Sequence, residues 1–124
     1  MSLLISSVLA LMLMVNQTHA QTFTVLKNFD EPTNITGFFP HAQLVQGPDG
    51  TLYGTTSSGK DNVQGTVFKM QPDGSGYAVL KWFTNSFDGA NPVAGLTLSG
   101  GTLYGTTSSL SDLTMRIFCR FLNK

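Results

Sequence analysis

The sequence predicts an all-β fold built from repeated four-stranded antiparallel units, and three observations carry that expectation. All 13 glycines of the 124 residues lie beyond residue 20, where they punctuate short β-branched and aromatic runs. Two Pro-Asp-Gly turns, at Pro48-Asp49-Gly50 and Pro72-Asp73-Gly74, reverse the chain. One string of eight residues occurs twice. Glycine at one in eight of residues 21–124, against a usual share of about 7%, marks turns, and no stretch from Gln21 to Ser109 sustains a helical period.

Residues 1–20 precede the fold and read as an export leader. Leu3-Leu4-Ile5 and Val8 to Val15 form an apolar run without glycine or proline, closed by the polar Asn16-Gln17-Thr18. Thr18-His19-Ala20 places small residues where a signal peptidase cuts, so cleavage is expected after Ala20. The run is too short and wrongly flanked for a stable span, and no membrane span is expected once the leader is removed. The alternative is an uncleaved anchor, because Met1-Ser2 brings no basic side chain and the first Lys or Arg is Lys27.

The strands then follow in order. Residues 23–29 are the first candidate. Residues 41–46, the turn Gly47-Pro48-Asp49-Gly50 and residues 51–57 form the clearest hairpin, since proline presets one turn angle and glycine supplies the positive φ of another. Residues 65–70 and 77–83 repeat the device around Gln71-Pro72-Asp73-Gly74. Residues 93–98 and 102–108 flank Ser99-Gly100-Gly101, and 114–121 make an eighth candidate.

Thr51-Leu52-Tyr53-Gly54-Thr55-Thr56-Ser57-Ser58 recurs letter for letter as Thr102-Leu103-Tyr104-Gly105-Thr106-Thr107-Ser108-Ser109, 51 residues on. Upstream, Pro40 and Leu44 match Pro92 and Leu96, and Val25-Leu26-Lys27 with Phe29 matches Val79-Leu80-Lys81 with Phe83. A four-stranded unit of about fifty residues has the scale of a β-propeller blade, so the eight candidate strands amount to about two blades, of which residues 21–109 hold about 1.7 repeats. Propellers use four to eight, and the array is therefore expected to be incomplete, with exposed faces open to self-association.

Leu44 with Asp49 to Thr56, then Gly65-Thr66-Val67-Phe68-Lys69, Pro72-Asp73-Gly74 and Asp88-Gly89-Ala90-Asn91-Pro92 together resemble the GloVer-type tandem repeat. That family comprises exported, mostly uncharacterised, chiefly bacterial proteins. The resemblance covers Phe23 to Ser109 and implies a β-propeller-like array outside the cytoplasm, with no catalytic residues to carry over. Two departures stand out. The earlier copy of the last motif reads Thr36-Gly37-Phe38-Phe39-Pro40, and residues 110–124 leave the pattern. In that tail only Ile117-Phe118 lies on Val67-Phe68, while net charge shifts from −2 over residues 21–109 (four Lys, six acids) to +2 (three basic, one acid). Met115, Phe118, Cys119 and Leu122 also have the spacing of a short amphipathic helix.

The chain's chemistry is sparse. Net charge is +0 with 11% charged residues, which excludes the basic stripe of a nucleic-acid binder. A single cysteine, Cys119, excludes an internal disulfide framework and a multi-cysteine zinc site. His41 is the lone histidine beyond the leader, with no serine and carboxylate that the sequence places beside it. Asp49, Asp73 and Asp88 each precede glycine, as turn chemistry demands, and with Asp30-Glu31 they compose no calcium loop. Gly100-Gly101 has no helix after it to cradle a phosphate. Trp82, Tyr53 and Tyr104 are core candidates before they are sugar-stacking ones. Asn34-Ile35-Thr36 is an N-glycosylation acceptor, so Asn34 is the one candidate modification site. No cofactor, metal or catalytic residue is expected. The sequence points to a secreted or cell-surface scaffold or interaction module with an unknown protein or glycan partner. The alternatives are a carbohydrate-binding or hydrolytic propeller and a truncated product with no independent role.

Overall fold

The computed structural model describes residues 21–29, 37–84 and 89–108 in full and the backbone of 115–122. The leader, Asp30, Glu31, Asn34, Asp88 and the tail side chains lie outside the described residues. The fold is all-β, and the described residues contain no helix. Among the described residues seven strands follow one another: β1 (Val45–Gln46), β2 (Leu52–Thr56), β3 (Thr66–Met70), β4 (Ala78–Trp82), β5 (Thr97–Ser99), β6 (Thr102–Ser108) and β7 (Met115–Leu122). They make two antiparallel meanders, a four-stranded sheet ordered β1-β2-β3-β4 and a three-stranded sheet ordered β5-β6-β7.

Both Pro-Asp-Gly turns close as the sequence demands. Gly50 N–H donates to Gly47 O at 3.0 Å and Gly74 N–H to Gln71 O at 2.9 Å, with both glycines at φ +85°. A side chain at either position would meet the steric penalty of the left-handed region. The turn aspartates close the loops from inside: Asp49 accepts Thr51 N–H at 3.1 Å and the Thr51 hydroxyl at 2.9 Å, and Asp73 accepts Ser75 N–H at 2.9 Å.

Strand alternation gives each sheet two faces. In the first sheet Leu52, Gly54 and Thr56 point to one side and Tyr53 and Thr55 to the other. Gly54 is paired with Phe68, Thr56 with Thr66. The Thr56 and Thr66 hydroxyls share a buried hydrogen bond of 2.7 Å. Leu80 is an extra residue in β4, because Val67 pairs with Lys81 and Phe68 with Val79.

The second sheet reproduces the register of the first. Gly105 pairs with Phe118, Thr106 with Ile117 and Thr107 with Arg116, as Gly54, Thr55 and Thr56 pair with Phe68, Val67 and Thr66. The tail is thus a strand and not an amphipathic helix. The helical spacing of Met115, Phe118, Cys119 and Leu122 is overridden because β6 offers an open ladder, and backbone hydrogen bonding is indifferent to the side chains that have diverged.

Three strand expectations need correction. Residues 23–29 form no strand; Lys27 and Phe29 pack over a face of the first sheet, while Phe23 and Val25 are exposed. Of 41–46, only Val45–Gln46 pair with β2. The strand expected over 93–98 shifts to Thr97–Ser99, because the preceding backbone serves the first sheet instead. Asn91 N–H donates to Gln64 O at 2.7 Å and Ala94 O accepts the Thr55 hydroxyl at 3.4 Å.

Candidate functional site

The best-defined construction in the molecule is the contact between its two sheets. Tyr53, Val67 and Phe83 of the first sheet and its exit close on Leu96 and Leu103 of the second, with Val45, Leu80 and Leu98 at the margin. All are apolar except for the tyrosine hydroxyl, so burial holds the two sheets together. Phe83 sits at the centre. Its carbonyl accepts Gln64 N–H at 2.6 Å and its N–H donates to Gly65 O at 2.9 Å, which extends the β4 edge into the seam.

A second clamp is built by Gly89, Ala90, Asn91 and Pro92. Gly89 lies at φ +84° so close to Thr107 that a Cβ there would collide with its hydroxyl oxygen. Asn91 O accepts both the N–H and the hydroxyl of Ser108, at 3.4 and 3.3 Å. Pro92 is buried against Gly65, where a side chain would strike the proline ring. The motif therefore binds its own sheet through Thr107 and Ser108 and the preceding sheet through Gln64 and Gly65.

The earlier copy repeats the first half of that arrangement. Gly37, at φ +99°, lies against the Thr56 hydroxyl, and Phe39 O accepts Ser57 N–H at 3.2 Å and the Ser57 hydroxyl at 3.4 Å. Phe39 and Asn91 share the left-handed conformation, at φ 59° and 50°. The departure of Phe38-Phe39 from the motif thus leaves its geometry intact. What changes is cover: Pro92 is buried and Pro40 exposed, and Leu96 is 9% exposed where Leu44 is 40%. Conversely Tyr53 is 4% exposed and Tyr104 39%. At these three positions the copy covered inside the chain has an uncovered repeat partner.

The described residues singled out for chemistry do not converge. His41 is exposed and its ring stacks on Phe39 at 6.0 Å between centroids. Asp49 and Asp73 are turn residues whose carboxyls titrate below the ordinary aspartate value; for Asp49 the Thr51 hydroxyl is the main cause and its N–H the next, and for Asp73 the Ser75 hydroxyl and N–H act in the same order. Among the described residues no three His, Cys, Asp or Glu side chains gather as a metal would need. Gly100 and Gly101, at φ 55° and 76°, make the β5–β6 turn and lead into a strand. Tyr53 belongs to the seam, while Trp82 and Tyr104 are exposed on separate sheets. Cys119 is paired in register with Tyr104. Among the described residues no helix is long and apolar enough to cross a membrane.

Sequence inspection missed the double duty of Gly89 to Pro92. The available signal was the glycine and proline kept in both copies, since a side chain at Gly37 or Gly89 would collide with Thr56 or Thr107 and Pro92 is buried against Gly65. The family described as Gloeobacter/Verrucomicrobia repeat matches residues 14–114. Neither the curated proteins nor the solved structures give a match.

Proposed function

The chain belongs to the Gloeobacter/Verrucomicrobia repeat family, and from that premise we propose that it is an exported, β-propeller-like repeat segment working as a non-enzymatic scaffold or interaction module. The observation that carries this reading is the seam. Its two sides, Tyr53 with Val67 and Phe83 against Leu96 with Leu103, are made of positions that the repeat regenerates in each unit. A surface able to join unit to unit is the part of the molecule on which sequence and geometry agree. The proposal of export to a secreted or cell-surface location is supported by the apolar run of residues 3–15 and by Thr18-His19-Ala20.

A carbohydrate-binding surface is the second reading, favoured by the exposed rings of Phe39, Trp82 and Tyr104. A glycan array together with ester and glycoside substrate panels separates the two. The scaffold reading expects no turnover, and His41→Ala is expected to leave every measured property unchanged. Substrate turnover that disappears in a folded His41→Ala variant overturns it.

A further inference from the structure

Among the described residues the three-stranded sheet ends on β7, an edge strand, whereas the equivalent strand β3 is covered by β4. The sequence contains a second copy of the β4 segment: Val25-Leu26-Lys27 with Phe29 repeats Val79-Leu80-Lys81 with Phe83. That copy forms no strand, and Val25 is 83% exposed.

Its position is informative. Phe29 packs on Phe68 and Tyr77, with ring centroids 5.3 and 6.0 Å apart, Lys27 Nζ lies 5.0 Å over the Tyr77 ring, and Leu26 lies against Gly74. Phe68 shares its face with Gly54 and Thr56, the side turned away from Tyr53, Thr55 and the second sheet. Residues 26–29 therefore lie in front of the first sheet as Phe83 lies in front of the second. The place is that of a fourth strand whose own sheet would stand ahead of the first one. The face on which residues 26–29 lie is the one turned away from the second sheet, to which β7 of the same chain belongs.

We propose that residues 24–28 of one copy add to the β7 edge of a second copy as its fourth strand, joining copies head to tail. The register follows from the β3–β4 ladder by repeat equivalence. Thr66 with Trp82, Val67 with Lys81, Phe68 with Val79 and Lys69 with Ala78 translate into Arg116 with Asn28, Ile117 with Lys27, Phe118 with Val25 and Cys119 with Thr24, leaving Leu26 as the bulged residue. Backbone hydrogen bonds supply this kind of strand addition, which an open edge invites. The same docking brings the Tyr104 side of one copy toward the exposed Leu44 of the next, in the relation that Tyr53 bears to Leu96 within the chain. The occupant is a second copy because no other described segment repeats β4. The inference rests on the reading of the chain as a module whose units stack.

The test uses the register. Thr24 is exposed, so Thr24→Cys leaves the monomer's packing alone. Under mild oxidation the purified Thr24→Cys chain is expected to form disulfides between copies that link position 24 to Cys119, identified by peptide mass mapping, and Cys119→Ser in the same chain is expected to remove them. Light scattering on a size-exclusion column is expected to give at least twice the monomer mass for the unaltered chain. Val25→Pro, which removes an amide from the added strand, is expected to return it to the monomer mass with an unchanged circular dichroism spectrum. A monomer at all concentrations overturns the proposal, as does a link from position 24 to Cys119 within one chain. Association without that link overturns the strand addition but leaves the stacking module standing, and the glycan and substrate panels test the module separately.

Discussion

Phe68 lies across β2 so that its ring fills the space a side chain at Gly54 would need. A Cβ built there stands 2.6 Å from Phe68 Cζ and 2.6 Å from Leu44 Cδ2. Gly54→Ala is therefore expected to destabilise the fold by about 1–3 kcal/mol through overpacking, and Phe68→Leu in the same chain to recover part of the loss. A thermal or urea double-mutant cycle measures it. Equal and additive effects would show that the ring does not depend on that glycine.

Gly50 offers the contrasting case. Nothing lies within 4 Å of a Cβ there, yet its φ is +85°. Gly50→Val is expected to cost at least about 1 kcal/mol from backbone strain alone, and Gly50→Asn distinctly less, since asparagine tolerates the left-handed region. Denaturant midpoints of the two variants decide the matter; equal losses would locate the cost in contacts instead.

The Asp49 carboxylate is held by Thr51, which lowers its pKa below 3.8 in the folded chain. A depressed carboxyl pKa contributes stability above the unfolded value and loses it as pH falls through the folded one. Stability is thus expected to decline on acidification below about pH 3.8, and Asp49→Asn to flatten that decline. Titration of the Asp49 side-chain carbon by NMR checks the direction; a midpoint above the ordinary value contradicts it.

Export and processing after Ala20 would leave Gln21 as the first residue. The intact mass of chain recovered from the medium or cell surface is expected to lack residues 1–20. Their retention in the major species would make the apolar run an anchor.

The turns were readable because Pro-Asp-Gly admits few alternatives, and β2, β3 and β6 because their residues suit a pleated surface on both sides. Ile117-Phe118 was legible as the counterpart of Val67-Phe68, and the ladder from Gly105 to Phe118 bears it out. Residues 23–29 misled for a physical reason. Their composition is that of β4, but composition says nothing about whether an edge stands beside a segment, and here only a face does. Ala94 shows the converse, since its carbonyl serves Thr55 across the seam rather than a strand partner. The seam itself was invisible until the eight identical residues were seen in two environments, Tyr53 covered and Tyr104 bare.

Within each sheet every described strand pairs with its neighbour along the chain, so each sheet can form as its own segment emerges. Short closures form fast, so a nascent chain finishes the ladders of the first sheet once Trp82 has emerged. Tyr53 and Val67 are then in place on a finished sheet but still wet, waiting for Leu96 and Leu103. The speed with which Pro92 to Leu103 folds over them sets how long the chain displays its most adhesive surface, and a pause in synthesis between Trp82 and Leu103 is the moment at which two nascent chains would entangle.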